Sequence, residues 1–383
     1  MSSQVEEKRR HRIKLFCGGC CCLSFVTIVS LLIAYGVRLG TGDESHTLAT
    51  MGTCREGSTD ASTLNVMSLN TFLIPCVPGA RCQNENDREA RIREITAWFE
   101  DRDEDVVLFQ EVWSYHDVLR DGMTAAGFCH YVTTESGNGS GLAVFSKHPI
   151  TEQDFSDWFD AFGIGDGMAP SPFNLEGYLS DKGVLYAKVD KNGRSFHLFN
   201  LHANSDTRGD NHDVRVKQFE KVRGFVDSKA IPSDELVLLG GDFNEDKDCR
   251  LRRCEGGAKC EGQAYYNEML NILSASVPDA ASNITFTYDT ENNDLLKSLY
   301  AGSDCETYQY TLDYIFSSDT NLIPTNSSYC EVLRPLASDG THLSDHFPVA
   351  CSFNIGSNLD VDATVESEDV DAAIQSEDVN ATV

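Results

Sequence analysis

Short apolar runs alternate with stretches of helical periodicity from about residue 62 to residue 356. A short continuous apolar run is typical of a buried strand, and apolar residues three or four positions apart are typical of an amphipathic helix. The pattern predicts strands at 64–69, 105–109, 128–133, 141–146, 183–189, 196–202, 236–239, 312–316 and 349–353, and helices at 86–100, 114–126, 211–228 and 263–276. Several strands follow one another directly, which favours stacked sheets covered by helices over a single parallel sheet.

Polar side chains stand at the ends of many of these predicted strands. Asn70, Gln110-Glu111, Asn200-Leu-His-Ala-Asn204 and Asp242-Phe-Asn244 each follow an apolar run, and Ser344-Asp345-His346 comes just before the last one. One acid or histidine at a strand end is more often an ordinary turn or surface residue. Five such clusters in one domain indicate parts of a single site.

The residue types in these clusters suit chemistry on a phosphate ester. Glu111 and Asn70 offer oxygen atoms of the kind that Mg²⁺ binds in proteins. Asp242 and Asn244 are two residues apart, so they share a face in an extended segment. Phosphoryl transfer needs positioning and neutralisation of negative charge, and a histidine such as His346 can move a proton near neutral pH.

The charge balance limits the possible partners. Asp and Glu total 60 against 31 Lys and Arg, which gives a formal net charge of −29. Such an excess argues against a broad phosphate-binding surface for nucleic acid. It agrees with an acidic solvated surface and with the binding of divalent cations.

The amino-terminal residues carry a membrane-targeting pattern. Residues 1–14 are basic on balance and residues 15–37 contain no charged side chain, which is long enough for a spanning helix. The pattern predicts a single-pass type II membrane protein with an extracellular or luminal bulk. A cleaved signal peptide, which would leave a secreted protein, is the alternative. Ten cysteines beyond this segment, and glycosylation sequons at Asn138, Asn283, Asn326 and Asn380, agree with a disulfide-bonded glycoprotein outside the cytosol.

Composition divides the rest of the chain. Residues 38–61 read as a Gly-, Ser- and Thr-rich linker, residues 62–356 as one folded domain, and residues 357–383 as a disordered acidic tail. Within the domain, residues 151–180 are predicted to form a long aromatic-rich loop. Its aromatic side chains, Trp158, Phe159 and Phe162 among them, would either fill a small satellite core or enter a membrane interface.

The motifs, taken in order, resemble those of one known family. They are Leu69-Asn70, Gln110-Glu111, His202, Gly241-Asp242-Phe243-Asn244, Leu312-Asp313-Tyr314 and Ser344-Asp345-His346. Over about residues 62–354 the chain is similar to the endonuclease/exonuclease/phosphatase superfamily, the DNase I-like metallophosphodiesterases. The resemblance implies a four-layer α/β/β/α sandwich and Mg²⁺-dependent cleavage of phosphate esters, with Mn²⁺ or Co²⁺ as other possible ions.

The same resemblance implies a role for each motif residue. Glu111 and Asn70 would be metal ligands, with Asp345 on the metal or phosphate side. His346 would be the general base that activates water, and Asp313 would orient its imidazole. Asp242 and Asn244 would position the water and the phosphoryl oxygens, and His202 would stabilise charge on the transferring phosphate.

Within the superfamily, three segments are similar to neutral sphingomyelinases: Phe109–Trp113, Gly139–Ile150 and Asp181–Lys188. This likeness implies hydrolysis of sphingomyelin in a membrane to ceramide and phosphocholine, with no protein partner and no nucleic acid. A secreted or anchored DNase I-like endonuclease is one alternative, and an inactive cell-surface interaction domain is another.

Overall fold

Fifteen strands and five α-helices lie within the described part of the computed structural model, which comprises residues 46–50, 57–74, 83, 85–134, 139–158, 182–205, 209–247, 262–278, 286–301 and 307–356. The strands are β1 (His46–Thr50), β2 (Thr63–Asn70), β3 (Val106–Gln110), β4 (His130–Thr134), β5 (Ala143–Ser146), β6 (Ile150–Asp157), β7 (Gly183–Lys191), β8 (Arg194–His202), β9 (Leu236–Asp242), β10 (Ala275–Ser276), β11 (Tyr288–Asp289), β12 (Gln309–Tyr310), β13 (Asp313–Ser318), β14 (Tyr329–Val332) and β15 (Val349–Asn354). The helices are α1 (Glu85–Trp98), α2 (His116–Ala125), α3 (Gly209–Ser228), α4 (Gly262–Leu273) and α5 (Asp294–Tyr300), and a 3₁₀ turn, Phe99–Asp101, follows α1.

The strands form two large sheets and one small pair. Sheet I has seven strands in the order β1-β4-β5-β3-β2-β15-β14, and sheet II has six in the order β10-β13-β9-β8-β7-β6. Strands β11 and β12 pair separately. The pairs β2–β3 and β8–β9 are parallel, and the remaining neighbours in both large sheets are antiparallel.

Three buried apolar clusters show how the layers pack. One contains side chains of both sheets, such as Val66 and Leu198, and fills the space between them. A second packs α1 and α2 on sheet I and contains Ile92 of α1 and Phe109 of β3. A third packs α3 and α4 on sheet II through residues such as Phe219. Two sheets are therefore sandwiched between two helical layers, and the predicted α/β/β/α arrangement is confirmed.

Strand direction brings the polar clusters to one edge of this sandwich. The parallel strands β2, β3, β8 and β9 all end there, and the antiparallel strands β7, β13 and β15 begin there. Asp242 of β9 lies directly opposite His202 of β8 and Asp313 of β13. Backbone pairing alone therefore collects residues that are more than a hundred positions apart in the sequence.

Two expectations about connecting segments need correction. Strand β1, His46–Thr50, falls inside the segment 38–61 that the sequence assigns to a linker, and it extends sheet I by pairing with β4. Strand β6, Ile150–Asp157, occupies the start of the predicted loop 151–180 and forms the edge of sheet II. Both are edge strands with polar, alternating sequences, which is why their apolar pattern is weak. Residues 159–181 lie outside the described part.

Trp158 belongs to the core and not to a membrane-facing loop. Its side chain is fully buried in the cluster between sheet II and α3, together with Phe199 and Phe219. Its backbone N–H donates to the carbonyl of Lys182 at 3.0 Å, which extends the β6–β7 pairing by one residue. The core alternative is therefore correct for Trp158, whereas Phe159 and Phe162 fall among residues that the structure does not describe.

Several predictions concern residues outside the described ranges. These include the membrane anchor at 15–37, the acidic tail at 357–383 and several of the ten cysteines expected to form disulfides, among them Cys249, Cys254 and Cys260. Among the described helices, none combines the length and the apolar character that crossing a lipid bilayer requires. Within the described part Cys330 of β14 and Cys351 of β15 face each other and form a disulfide, and Cys129 is also disulfide-bonded. The expectation of disulfides is thus confirmed there.

A buried ionic cluster joins the sheets at the edge opposite the polar motifs. Asp105, just before β3, is fully buried, and its Oδ2 accepts from Lys191 Nζ at the end of β7 at 2.8 Å. It also accepts from the backbone N–H of Asn65 at 2.8 Å, and its Oδ1 lies 2.7 Å from His148 Nε2. Burial raises the pKa of Asp105, but the hydrogen bonds from His148, Asn65 and Lys191 outweigh it, so the net pKa is lowered.

We expect Lys191→Met to destabilise the protein by about 3 kcal/mol, because removing one partner of a buried pair leaves the other charge uncompensated. The matched change Lys188→Met, in the same strand, removes an exposed pair with Glu152 and should cost less than about 1 kcal/mol. Urea unfolding with disulfides intact measures both. Since the pKa of Asp105 is depressed on folding, its contribution is complete above the unfolded pKa of ~3.9 and is lost as the pH falls through the lower folded value. Equal losses in the two variants would contradict the role of this cluster.

Candidate active site

His346 and Asp313 form the central pair of the polar edge. His346 Nδ1 lies 2.8 Å from Asp313 Oδ2, and both side chains are buried. Burial alone would lower the pKa of His346, but the carboxylates of Asp313 and Asp242 overcome it and hold that pKa well above its usual value. The hydrogen bond to Nδ1 leaves Nε2 as the ring nitrogen that faces the site. The prediction that Asp313 pairs with this imidazole, and that the adjacent Asp345 does not, agrees with this geometry.

Asp242 is the carboxylate around which the other groups converge. Its Oδ2 accepts a hydrogen bond from Asn70 Nδ2 at 3.1 Å and lies 3.9 Å from His346 Nε2 and 3.5 Å from His202 Nε2. Its Oδ1 accepts from the backbone N–H of Asn244 at 3.0 Å. Burial, reinforced by the negative charge of Asp313, raises the pKa of Asp242 to about 7.

Backbone geometry explains the Gly-Gly-Asp sequence that ends β9. Gly241 has a φ of 144°, and a Cβ there would stand 1.9 Å from the carbonyl oxygen of Leu201 on the neighbouring strand. Only glycine allows β8 and β9 to approach this closely immediately before Asp242. Asn244 then adopts a left-handed φ of 51°, and its Nδ2 donates to the carbonyl of Ala203 at 3.1 Å.

His202 lies between the carboxylate of Glu111 and the ammonium of Lys182. Its Nε2 is 3.8 Å from Glu111 Oε1 and 3.2 Å from Lys182 Nζ, while its Nδ1 has no hydrogen-bond partner among the described residues. Burial, followed by the charges of Lys182 and His346, lowers the pKa of His202 well below its usual value. The imidazole of His202 is therefore neutral, and the positive charge at this side of the site is that of Lys182.

Lys182 is a site residue that the motif analysis did not select. It precedes β7, is almost fully buried, and lies over the ring of Trp113 at 5.8 Å from the centroid. The ring of Trp113 is in turn 5.9 Å from that of His202. The segment Asp181–Lys188 is similar to a segment of the neutral sphingomyelinases, and this likeness could have drawn attention to it. No local pattern indicates that its lysine points toward His202.

Glu111 turns out of β3 into the site. Its backbone has a left-handed φ of 58°, and its Oε2 is buried without a hydrogen-bond partner in the described part of the chain. Burial and the nearby charge of Asp345 raise the pKa of Glu111 to about 8. A carboxylate oxygen that is buried, unpartnered and crowded by other acids is well suited to bind a cation.

Asp345 lies close to the same carboxylates and is held by its neighbours. Ser344 Oγ donates to the carbonyl of Asn70 at 2.6 Å, and Asn293 Nδ2 donates to the carbonyls of Ser344 and Asp345 at 2.8 and 3.2 Å. Burial raises the pKa of Asp345, although the charges of His346 and Arg91 oppose the rise. All eight residues predicted from the sequence are therefore buried at one edge.

Arg91 holds the backbone of the loops at this edge, and no sequence pattern indicated it. This α1 residue is 6 % exposed, and it donates to the carbonyl oxygens of Thr71, Phe72 and Leu343 on the two loops that flank Asn70 and Asp345. Burial lowers the pKa of Arg91 to about 10, and its charge still acts on Asp345 and Glu111.

Three polar residues that the sequence grouped with the site serve other contacts. Gln110 Nε2 donates to Asn200 Oδ1 at 2.8 Å, and Asn200 Nδ2 donates to the carbonyls of Phe109 and Ala143 at 2.9 and 3.0 Å. This bridge crosses from sheet II to sheet I. The carbonyl of Asn204 accepts from Arg215, and its backbone N–H donates to Gln218 Oε1. Asn200 and His202 lie on the same face of β8, and only His202, two residues further along at the end of the strand, reaches the site.

Comparison with known proteins identifies the family. Residues 63–346 match the model of the Endonuclease/Exonuclease/phosphatase family. The chain is 29 % identical over 318 residues to Sphingomyelinase C of Leptospira interrogans, an alignment that covers 75 % of this chain and 51 % of that protein. It is 31 % identical over 240 residues to Sphingomyelinase C of Bacillus cereus, covering 58 % and 63 %.

The solved structure of Sphingomyelinase C from Streptomyces griseocarneus is similar with a TM-score of 0.55 and 25 % identity, over 76 % of this chain and 99 % of that one. The chain thus spans about half the length of the Leptospira relative and nearly all of the Streptomyces structure. Since the family model covers most of the described domain and all of the site motifs, the chain belongs to the endonuclease/exonuclease/phosphatase family.

Proposed function

We propose that the protein hydrolyses sphingomyelin to ceramide and phosphocholine in a reaction that requires Mg²⁺. The observation that carries this proposal is the convergence at one edge of the fold of the His346–Asp313 pair, Asp242, and Glu111, whose Oε2 is buried without a hydrogen-bond partner among the described residues. The names of its sphingomyelinase C relatives support the choice of lipid. An inactive interaction domain would have no need to keep this set of buried charges together.

The residues present fit a divalent cation. Glu111, Asp242 and Asp345 all have raised pKa values because they are buried close to other acids, so their negative charge lacks compensation in the protein alone. Glu111 would hold the ion with Asn70, and Asp345 would support it. Asp242, Asp313 and His346 also lie close enough together to hold an ion. Glu111 Oε2 and Asp313 Oδ1 both lack a hydrogen-bond partner among the described residues, but Asp313 holds His346 through its other oxygen, so we assign the ion to the Glu111 end.

When bound, the cation supplies positive charge for the phosphate oxygens and offsets the carboxylate field that keeps the pKa of His346 high. His346 Nε2 accepts a proton from the attacking water while Asp313 fixes the ring orientation. The water oxygen forms a bond to phosphorus as the bond between phosphorus and the ceramide oxygen breaks. The ceramide oxygen takes up a proton from solvent, and His346 returns its own proton to solvent. Asp242 and the amide of Asn244 position the water and the phosphoryl oxygens.

Lys182 refines the role that the family resemblance implies for His202. Because the His202 ring is neutral, it cannot itself supply positive charge to a phosphate. The ammonium of Lys182, 3.2 Å from His202 Nε2, supplies that charge, and His202 positions it. Stabilisation of charge in a site with little water is a large part of phosphoryl-transfer catalysis.

We also propose that the domain acts outside the cytosol, anchored by residues 15–37 or secreted after their removal. Two described features support this: the Cys330–Cys351 disulfide and the exposed position of the sequon residue Asn326. A shift in gel mobility on enzymatic deglycosylation of the full chain, expressed in eukaryotic cells, would be expected. Its absence, together with fully reduced cysteines, would contradict this location.

Replacing His346 by alanine should lower kcat/KM for sphingomyelin by about 10³-fold, because general-base catalysis contributes on that scale. Release of phosphocholine from vesicles measures the rate, with double-stranded DNA as the substrate of the alternative function. The matched control is His342→Ala, a histidine four residues earlier that pairs with Asp294, and it should retain activity within a few-fold. Unchanged turnover in His346→Ala would refute the mechanism, and cleavage of DNA but not of lipid would refute the function.

Asp313→Asn should lower the pKa of His346, because the carboxylate that raises it becomes neutral while burial still acts in the opposite direction. NMR titration of the imidazole in chelator-treated protein measures this shift. Asp319→Asn neutralises an acid beyond the far end of the same strand and serves as the control, with no effect on His346 expected. If both variants leave the titration of His346 in place, Asp313 is not the group that sets its basicity.

Chelation should abolish lipid hydrolysis, and Mg²⁺ should restore it. Glu111→Gln should raise the Mg²⁺ concentration needed for half-maximal activity at least tenfold and weaken Mg²⁺ binding in calorimetry, since a neutral amide is a poorer ligand for a hard cation. The control is Glu331→Gln on strand β14, whose side chain is exposed. Equal Mg²⁺ affinity in the two variants would show that Glu111 is not a ligand.

A further inference from the structure

Four tyrosines form an aromatic group beside the candidate active site. Tyr288 and Tyr310 are stacked across the β11–β12 pair, with ring centroids 6.3 Å apart and an angle of 22° between the planes. Tyr300 of α5 meets Tyr288 edge-on at 6.5 Å, and Tyr308 lies 4.5 Å from Tyr300 and 6.0 Å from Tyr310. We call Tyr288, Tyr300, Tyr308 and Tyr310 the tyrosine cluster.

The tyrosine cluster is not part of the hydrophobic core. None of its members belongs to the three buried apolar clusters, and all four side chains are partly exposed. Its scaffold is nevertheless well fixed by Asp289, which is fully buried and accepts hydrogen bonds from Gln309 Nε2 at 3.1 Å and Asn292 Nδ2 at 2.6 Å. Large aromatic rings held on a rigid scaffold and left partly open to solvent are typical of a recognition surface.

The tyrosine cluster is coupled directly to the candidate base. The ring of Tyr288 meets that of His346 edge-on, with centroids 5.0 Å apart. The preceding residue, Thr287, accepts at Oγ1 from the backbone N–H of Asp313 at 3.2 Å, and its carbonyl accepts from the N–H of Phe347 at 2.7 Å. Tyr288 is therefore the member of the tyrosine cluster next to the candidate base, and the other three rings continue the aromatic surface from Tyr288.

The chemistry of tyrosine faces suggests which group they would bind. A quaternary ammonium cannot donate a conventional hydrogen bond, and stacked or edge-on aromatic rings attract it through their electron-rich faces. A primary ammonium, in contrast, gains more from direct hydrogen bonds to carboxylates or carbonyls. In a choline phosphodiester the quaternary nitrogen is joined to the phosphate by a two-carbon linker, so the two groups must bind in adjacent places.

We propose that the tyrosine cluster is the subsite for a quaternary ammonium headgroup and selects choline phospholipids over those with a primary amine. This inference rests on the proposed function, since it assumes that the phosphate binds at His346. Aromatic side chains also stack on nucleobases. The acidic charge of the chain and the closeness of the carboxylates favour a cationic ligand over a nucleic acid strand.

The test compares two lipids in the same mixed micelles with Mg²⁺, using the full chain. The wild type should prefer sphingomyelin to ceramide phosphoethanolamine, and Tyr310→Leu should lower the ratio of the two kcat/KM values by about tenfold, in keeping with the loss of a cation–π contact. Tyr310→Phe keeps an aromatic face and should keep the ratio. Tyr308→Leu serves as a second cluster variant if Tyr310→Leu does not fold.

A matched control and a binding measurement complete the design. Tyr329→Leu changes an exposed tyrosine of β14 on sheet I and should leave the ratio as in the wild type. Calorimetry of phosphocholine against phosphoethanolamine, each with Mg²⁺, measures headgroup selection without turnover, and Tyr310→Leu should weaken phosphocholine alone.

The outcomes separate the two proposals. Equal losses on both lipids in Tyr310→Leu, or equal binding of the two headgroups by the wild type, would overturn the headgroup subsite while leaving the phosphodiesterase in place. A wild type that cleaves neither lipid but still binds phosphocholine through Tyr310 would remove the proposed function and retain the subsite. A larger effect of Tyr310→Leu on single-stranded DNA cleavage than on sphingomyelin would overturn the subsite in favour of base stacking.

Discussion

Four buried carboxylates, those of Glu111, Asp242, Asp313 and Asp345, occupy one small volume at the edge of the sandwich. Like charges in such an environment destabilise one another and are poorly solvated, so their pKa values rise unless positive charge is supplied. The rise for Glu111 and Asp242 to about 8 and 7 shows how incomplete the compensation from the protein is. The need for positive charge at this edge is the reason for proposing that a divalent cation and the imidazole of His346 share one site.

The fold tolerates these uncompensated carboxylates because the opposite edge of the sandwich holds the two sheets together. At the opposite edge Asp105 is matched by Lys191 and His148, and that cluster ties sheet I to sheet II. Between the ends, Gln110 and Asn200 add a buried bridge from one sheet to the other. Satisfied polar contacts of this kind fix the relative position of two sheets. The positions of the site residues are therefore fixed by contacts elsewhere between the two sheets, and do not depend on contacts among the site carboxylates.

The strands and most of the site residues could be predicted from the sequence. The tertiary contacts that those residues make could not. Strand ends are local features, so Asn70, Glu111, Asp242 and the others could be selected from apolar runs followed by polar residues. Two alternatives stayed open for Trp158, because its burial depends on α3, which lies some fifty residues further along the chain. Lys182 and Arg91 were not selected, because each reaches the site through tertiary packing that leaves no periodic signal.

The residues assigned to catalysis and those assigned to headgroup selection lie on different kinds of element. The groups assigned to catalysis lie at strand ends or on the short segments joined to them, where hydrogen-bonded register sets their positions relative to one another. The tyrosine cluster sits instead on a two-residue strand pair and a short helix beside the sheets, attached to the site through Thr287. Under the headgroup proposal, substitution in that strand pair and helix would change the surface beside the bound phosphate and would leave the β9–β13 register of Asp242 and Asp313 in place. A phosphodiesterase built in this way can keep one reaction and change the lipid headgroup that it accepts, because catalysis and headgroup selection depend on separate elements of the chain.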